Sequence, residues 1–282
     1  MANAKIKSSW QWAAYGLLGC ATVVTLYPLL WVVKTAFSPS QTLDPSPNPL
    51  PNAFDLTHFS HLFTAAEQGA HFGDYFLNSL MVALATAFLG VILSCTAGYA
   101  FSRLRFAGQD KGLAIFILTQ VIPGVVMLIP LYLILEKIGL LDSLMGLVLC
   151  YAATSVPFCT WMLKGFFDSL PKEMEEAAWV DGANTWTVFT QIVLPVSRPA
   201  VAVAFLFSFM TAWNEFILAA TLLNAPAKYT IPVALQKYIG AYQAAWGSFA
   251  AGALLASIPV MLLFFYLQKH LVSGLTSGSV KG

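Results

Sequence analysis

Residues 164–198 read KGFFDSLPKEMEEAAWVDGANTWTVFTQIVLPVSR. The pattern predicts two short helices joined by a tight turn. Ser169 is a capping residue type, and Pro171 suits a first helical turn, where its missing N–H costs nothing. Glu173, Glu175 and Glu176 then favour the positive end of the helix dipole. Ala177 and Ala178 are strong helix formers with small side chains. Gly182 is placed to end that helix. Asn184 caps a second one, whose apolar face is Val188, Phe189, Ile192 and Val193, and Pro195 stops it. One face of this unit is apolar and suits packing on a bundle. The other presents small and acidic residues outward. A helix lying in lipid headgroups is usually rich in Lys and Arg, whereas this one carries three glutamates.

On both sides of this polar stretch the chain is apolar. Of its 282 residues, 58% are hydrophobic and 10% charged, against roughly 25% charged in a soluble domain. The mean hydropathy is +0.73. Such a chain cannot cover a soluble surface, so soluble enzymes, disordered segments and disulfide frameworks are excluded. The charged residues are separated by six stretches of 21 to 31 residues, the fifth interrupted once by Glu215. A membrane helix needs about 20 such residues. The expected spans are 11–34, 77–101, 112–135, 143–165, 198–222 and 248–268, in a single transmembrane domain over 1–282, with 168–195 as a loop carrying the helix–turn–helix. Continuous apolar runs favour helices over the alternating pattern of a membrane barrel. Six spans put both termini on one side. That side carries ten Lys and Arg against four on the other, which predicts cytoplasmic termini. The first apolar run is too long for a cleaved signal and is expected to stay as a span.

Prolines 28, 123, 130, 157 and 259 lie inside the expected spans, and Pro123-Gly124 with Pro130 suggests a twice-broken, pathway-lining segment. The loop after the first span opens with Pro39, Pro45, Pro47, Pro49 and Pro51, an extended stretch. His58, His61 and His71 follow without a carboxylate or Cys cluster, so no metal site is expected. The four cysteines sit in apolar runs as small core residues. The loop 223–247 is aromatic, as expected at a membrane interface or a partner contact. Asn214 and Glu215 are polar residues inside the fifth span. Such residues are candidates for a solute pathway or for a helix-packing hydrogen bond. No P-loop or hydrolase motif is present, so the chain is expected to be non-catalytic, with no cofactor of its own and no catalytic residue.

The stretch Glu176-Ala177-Ala178, Gly182 and Leu194-Pro195 resembles the signature of permease subunits of binding-protein-dependent ABC importers. Asp181-Gly182-Ala183, the run Leu194–Pro199 and Trp213-Asn214-Glu215-Phe216 resemble their carbohydrate branch. The tail GLTSGSVKG and the chain length are similar to the smaller permease subunits of maltose/maltodextrin importers. The resemblance implies a type I ABC importer permease fold in the bacterial inner membrane. It implies a second homologous permease, a dimeric cytoplasmic ATPase holding ATP and Mg, and an extracytoplasmic sugar-binding protein as partners, with no nucleic acid. It assigns ATPase coupling to Glu176, Ala177, Ala178, Asp181, Gly182, Ala183, Leu194 and Pro195, and an ATPase-contacting tail to Gly278, Ser279, Val280, Lys281 and Gly282. Permeases of the same family for another oligosaccharide, lactose or glycerol phosphate remain open. A secondary transporter would need coupling-ion carboxylates and an internal repeat, and neither is found.

Overall fold

The computed structural model describes residues 8–51, 53–64, 69–240 and 244–277. Among these the chain is mainly helical, and Ile239 and Ala244 form an isolated β-bridge. Two compact units are distinguished, one within Met1–Ala66 and Leu235–Ser257, the other within Glu67–Ala234 and Ile258–Gly282.

The first unit begins with α1 (Ser8–Phe37), which passes unbroken through Pro28. Its side chains from Trp10 to Leu30 are all exposed. A helix segment that is apolar all round and buries nothing over this length is matched to lipid or to another chain rather than to water. At its end, Lys34 is buried and donates to the carbonyls of Ser46 and Asn48 at 3.1 and 2.7 Å while pairing with Asp44 at 2.8 Å. One ammonium thereby holds the proline-rich loop. The short helix α2 (Thr57–Thr64) carries His58 into the interior. His58 Nε2 donates to the Ser38 carbonyl at 2.8 Å, which leaves Nδ1 to accept from Gln41 at 3.1 Å. The imidazole is therefore committed to the chain, and among the described residues no group of three His, Cys, Asp or Glu converges.

The second unit is built on α3 (Phe72–Arg103). Its buried face is a stripe of small and polar residues that includes Ser79, Ala83, Thr86, Ala87, Gly90, Ser94 and Gly98. Small residues let helix backbones approach closely, which is how membrane helices gain packing energy when lipid supplies no hydrophobic drive. A Cβ on Gly98 would lie 3.2 Å from Leu163 Cβ and 3.3 Å from the Thr160 carbonyl. The third apolar stretch is two helices, α4 (Gln109–Thr119) and α5 (Leu128–Lys137), joined through a 3-10 turn and meeting at 98°. The break falls at Pro123-Gly124, but Pro130 lies in the first turn of α5, where proline is tolerated. One interruption therefore replaces the two expected.

Next comes α6 (Leu144–Asp168), continuous through Pro157, then the loop helices α7 (Glu173–Val180) and α8 (Thr185–Val188). A π-turn (Phe189–Val193) and α9 (Leu194–Val196) lead into α10 (Arg198–Trp213). The fifth apolar stretch then breaks before α11 (Ile217–Leu222). The fold closes with α12 (Ile231–Gln236) and α13 (Trp246–Ser277), the latter unbroken at Pro259. Among the described residues, four helices are long and apolar enough to cross a membrane, and up to six spans result if each of two sharply bent pairs counts as one.

Candidate functional site

The loop helices form a knob at the end of the bundle where α3 and α6 finish. Ser169 does not cap α7 as expected. The helix α6 runs to Asp168, and Ser169 closes it by donating to the Phe166 carbonyl at 2.6 Å. At the other end of α7 the expected stop is found. Gly182 has φ +88, its N–H donates to the Trp179 carbonyl at 3.0 Å, and the N–H of Ala183 donates to the Ala178 carbonyl at 2.9 Å. This pair of bonds is the Schellman closure, and its left-handed residue favours glycine. Asn184 caps α8, its Oδ1 accepting from the Thr187 N–H at 2.8 Å. Pro195 does not stop the second helix where expected. It has no N–H to offer to the carbonyl four residues back, and the chain runs through a π-turn to Val196 before bending by 82° into α10.

Two kinds of contact hold the knob. Val188, Phe189 and Val193 enter an apolar cluster with Tyr99, Leu163, Phe167 and Ala204, while Ile192 is half-buried. The second contact is polar and was missed from the sequence, which placed all three glutamates outward. Glu175 is 2% exposed and turns inward. Its Oε1 lies 2.6 Å from Nε of Arg103, and its Oε2 accepts from Tyr99 at 3.1 Å. A signal was present: Tyr99 and Arg103 are four apart and share a helix face, at the end of the second span that carries a basic residue.

The expected coupling residues are brought together on this knob. Glu176, Ala177, Asp181 and Gly182 are exposed, and Ala178, Ala183, Leu194 and Pro195 are half-buried. Around them stand large apolar side chains that the sequence reading did not single out: Met174, Trp179, Val180 at 88% and Trp186 at 66% exposure. The tail residues Gly278, Ser279, Val280, Lys281 and Gly282 lie outside the described residues.

Asn214 and Glu215 sit at the break between α10 and α11. Asn214 is exposed and donates to the Met210 carbonyl of its own helix at 3.0 Å. The Glu215 carboxylate accepts from the N–H groups of Leu218 and Ala219 at 2.8 and 3.1 Å and from the Tyr151 hydroxyl at 2.7 Å. It satisfies donors that a broken helix leaves open and ties α11 to α6.

At the opposite end of the bundle, Asp142 adopts φ +53, a left-handed conformation that Asp tolerates better than most residues. It accepts from the N–H groups of Asn224 and Ala225 at 2.9 and 3.1 Å and pairs with Lys228 at 2.8 Å. Asn78 donates to the carbonyls of Ala227 and Tyr229, and Ser79 accepts from the Ile231 N–H. The segment after α11 is therefore clamped to two other elements. Partial burial pushes the Asp142 carboxyl up. The Lys228 ammonium and the two backbone donors outweigh this and hold it below the usual carboxylate range. A depressed folded pKa contributes stability above the unfolded value of about 3.9, lost as pH falls through the folded one. Limited proteolysis of 222–230 with an acid-active protease should therefore stay slow at mildly acidic pH and accelerate only below about pH 4. In Asp142→Asn it should already be fast at mildly acidic pH. Equal rates in the two proteins would show that the clamp contributes nothing.

A family model described as the inner membrane component of binding-protein-dependent transport systems matches residues 90–277, the knob included. The chain belongs to this family. As an inner membrane component it is a multi-pass transport permease, and the resemblance carried by Glu176–Ala183 and Leu194-Pro195 holds at family level. A maltodextrin transport permease of Bacillus subtilis is 38% identical over 273 residues, covering 95% of each chain. A galactooligosaccharide transport permease of the same organism is 37% identical over 270 residues, again covering 95% of each. Among solved structures, a chain of a bacterial ABC transporter that imports alginate matches with a TM-score of 0.78 at 22% identity, covering 95% of this chain and 99% of that one. A chain of the methionine transporter MetNI matches with a TM-score of 0.57 at 16% identity, covering 70% of this chain and 93% of that one. The permease has the expected all-α type I importer fold.

Proposed function

We propose that this permease is one of two homologous membrane chains of an ATP-driven oligosaccharide importer. The knob is its contact with a cytoplasmic ATPase. The observation that carries this reading is the projection of Trp179, Val180 and Trp186 around Glu176, Ala177 and Asp181 on a helix pair that the bundle holds rigidly. A rigid knob transmits displacement, and nucleotide shifts the permease between inward- and outward-open states only by acting differently on the two. ATP and Mg belong to the ATPase, since no P-loop lies in this chain, which is non-catalytic and binds no nucleic acid. A sugar-binding protein delivers the solute from the other face. The excess of basic residues supports a cytoplasmic position for the knob and both termini. The tail Gly278–Gly282 is assigned a further contact with the ATPase.

For the solute, the names of the relatives at 38% and 37% identity support neutral oligosaccharides. Maltodextrin is the first to test and galactooligosaccharide the second. A tagged chain purified from its own membranes should bring down one larger permease and two ATPase chains. In liposomes the complex should take up maltodextrin when given ATP and the loaded binding protein. A chain that purifies alone and moves solute without ATP would overturn this reading, and uptake of a different sugar would correct only the substrate.

A further inference from the structure

We propose that Arg103 is a positioning residue that locks α7 to the last turn of α3, so that a push on the knob moves α3 with it. This rests on the coupling role given to the knob above. Glu175 is the only buried residue of α7. Every apolar side chain that fixes the knob deeply belongs to the second half, at Val188, Phe189 and Val193. The first half, which carries Glu176, Ala177 and Ala178, is therefore held chiefly through the Arg103–Glu175 pair.

The geometry of that pair joins three elements at one guanidinium. Nε meets Glu175 Oε1 at 2.6 Å. Nη2 donates to the carbonyls of Phe167 and Leu170 at 2.8 and 3.2 Å, and Nη1 to Ser102 Oγ at 3.0 Å. The Phe167 carbonyl lies in the last turn of α6 and that of Leu170 just beyond its end, where the dipole favours a cation. The planar fork fixes the direction of each bond. Apolar contacts are non-directional and let packed surfaces slide, whereas this arrangement resists rotation of α7 about its own axis. A buried ion pair is weak evidence for stability, since hydrophobic replacements are often as stable. Its use here is in transmitting direction between α7, α6 and α3.

The test uses the full transporter in liposomes, comparing wild type with the paired neutral variant Arg103→Gln/Glu175→Gln and with Arg103→Lys. The paired variant removes both charges and leaves neither orphaned. ATPase co-purification reports assembly, and sugar moved per ATP hydrolysed reports transmission. The expected result is normal assembly and retained hydrolysis with transport per ATP lowered about tenfold, a size typical of coupling free energies. Arg103→Lys keeps the charge but not the fork and should fall in between. Wild-type transport per ATP in the paired variant would overturn the proposal. So would a fall in uptake and hydrolysis in strict proportion to the amount assembled, since that is what a packing role produces. Wild type lacking any ATP-dependent uptake would instead overturn the coupling role of the knob, and this proposal with it.

Discussion

Glu215→Ala should destabilise the folded permease by about 3–5 kcal/mol, because each donor left unpaired in an apolar interior costs about 1–3 kcal/mol. Three donors depend on this carboxylate: the N–H groups of Leu218 and Ala219 and the hydroxyl of the fully buried Tyr151. Water cannot rescue them inside a bilayer as it would at a soluble surface. Glu215→Gln keeps one acceptor oxygen and turns the other into a donor facing donors, so a loss of about 1–2 kcal/mol is expected. Denaturant titration in mixed micelles reads both numbers. A midpoint unchanged in the alanine variant, with oligosaccharide affinity altered instead, would move Glu215 from the framework to the solute pathway.

Gly98→Val should disrupt the α3–α6 contact and cost about 3 kcal/mol, the upper range for overpacking a tight interior. The atoms that a side chain would meet are Leu163 Cβ, the Lys164 backbone nitrogen and the Thr160 carbonyl, all 3.2–3.3 Å from a Cβ. None is the far end of a flexible side chain, so the helix axes must separate. Gly98→Ala gains about 1 kcal/mol of helix propensity against the same crowding and should be close to neutral by comparison. On α1, Gly16 and Gly19 meet nothing within 4 Å. Alanine there should stabilise slightly or do nothing. Thermal unfolding of the three alanine variants beside Gly98→Val separates packing from propensity. A Val variant that unfolds with the wild type would mean that the close approach contributes little.

The stretch 164–198 was largely legible because its signals are local. Asn184 caps, Gly182 turns left-handed and Val188, Phe189 and Val193 form an apolar face, each for a reason confined to a few neighbouring residues. Where the reading failed, the cause lay elsewhere in the chain. Ser169 has the chemistry of a cap, but the preceding helix extends over it. Glu175 and Glu176 are adjacent and chemically identical. One is buried and the other exposed only because Arg103, seventy-two positions earlier, stands on one side of α7.

By itself the sequence determined that the chain lives in a membrane as a series of apolar helices and that a helix pair interrupts them. These follow from the cost of placing charge in hydrocarbon and from backbone donors that must be met nearby. Only the tertiary structure decided which partners the polar residues meet: buried Glu175 on Arg103, half-buried Glu215 on a broken helix and Tyr151, half-buried Asp142 on Lys228. A buried charge is tolerated where its partners converge, and those partners are brought together by packing between segments far apart in the chain.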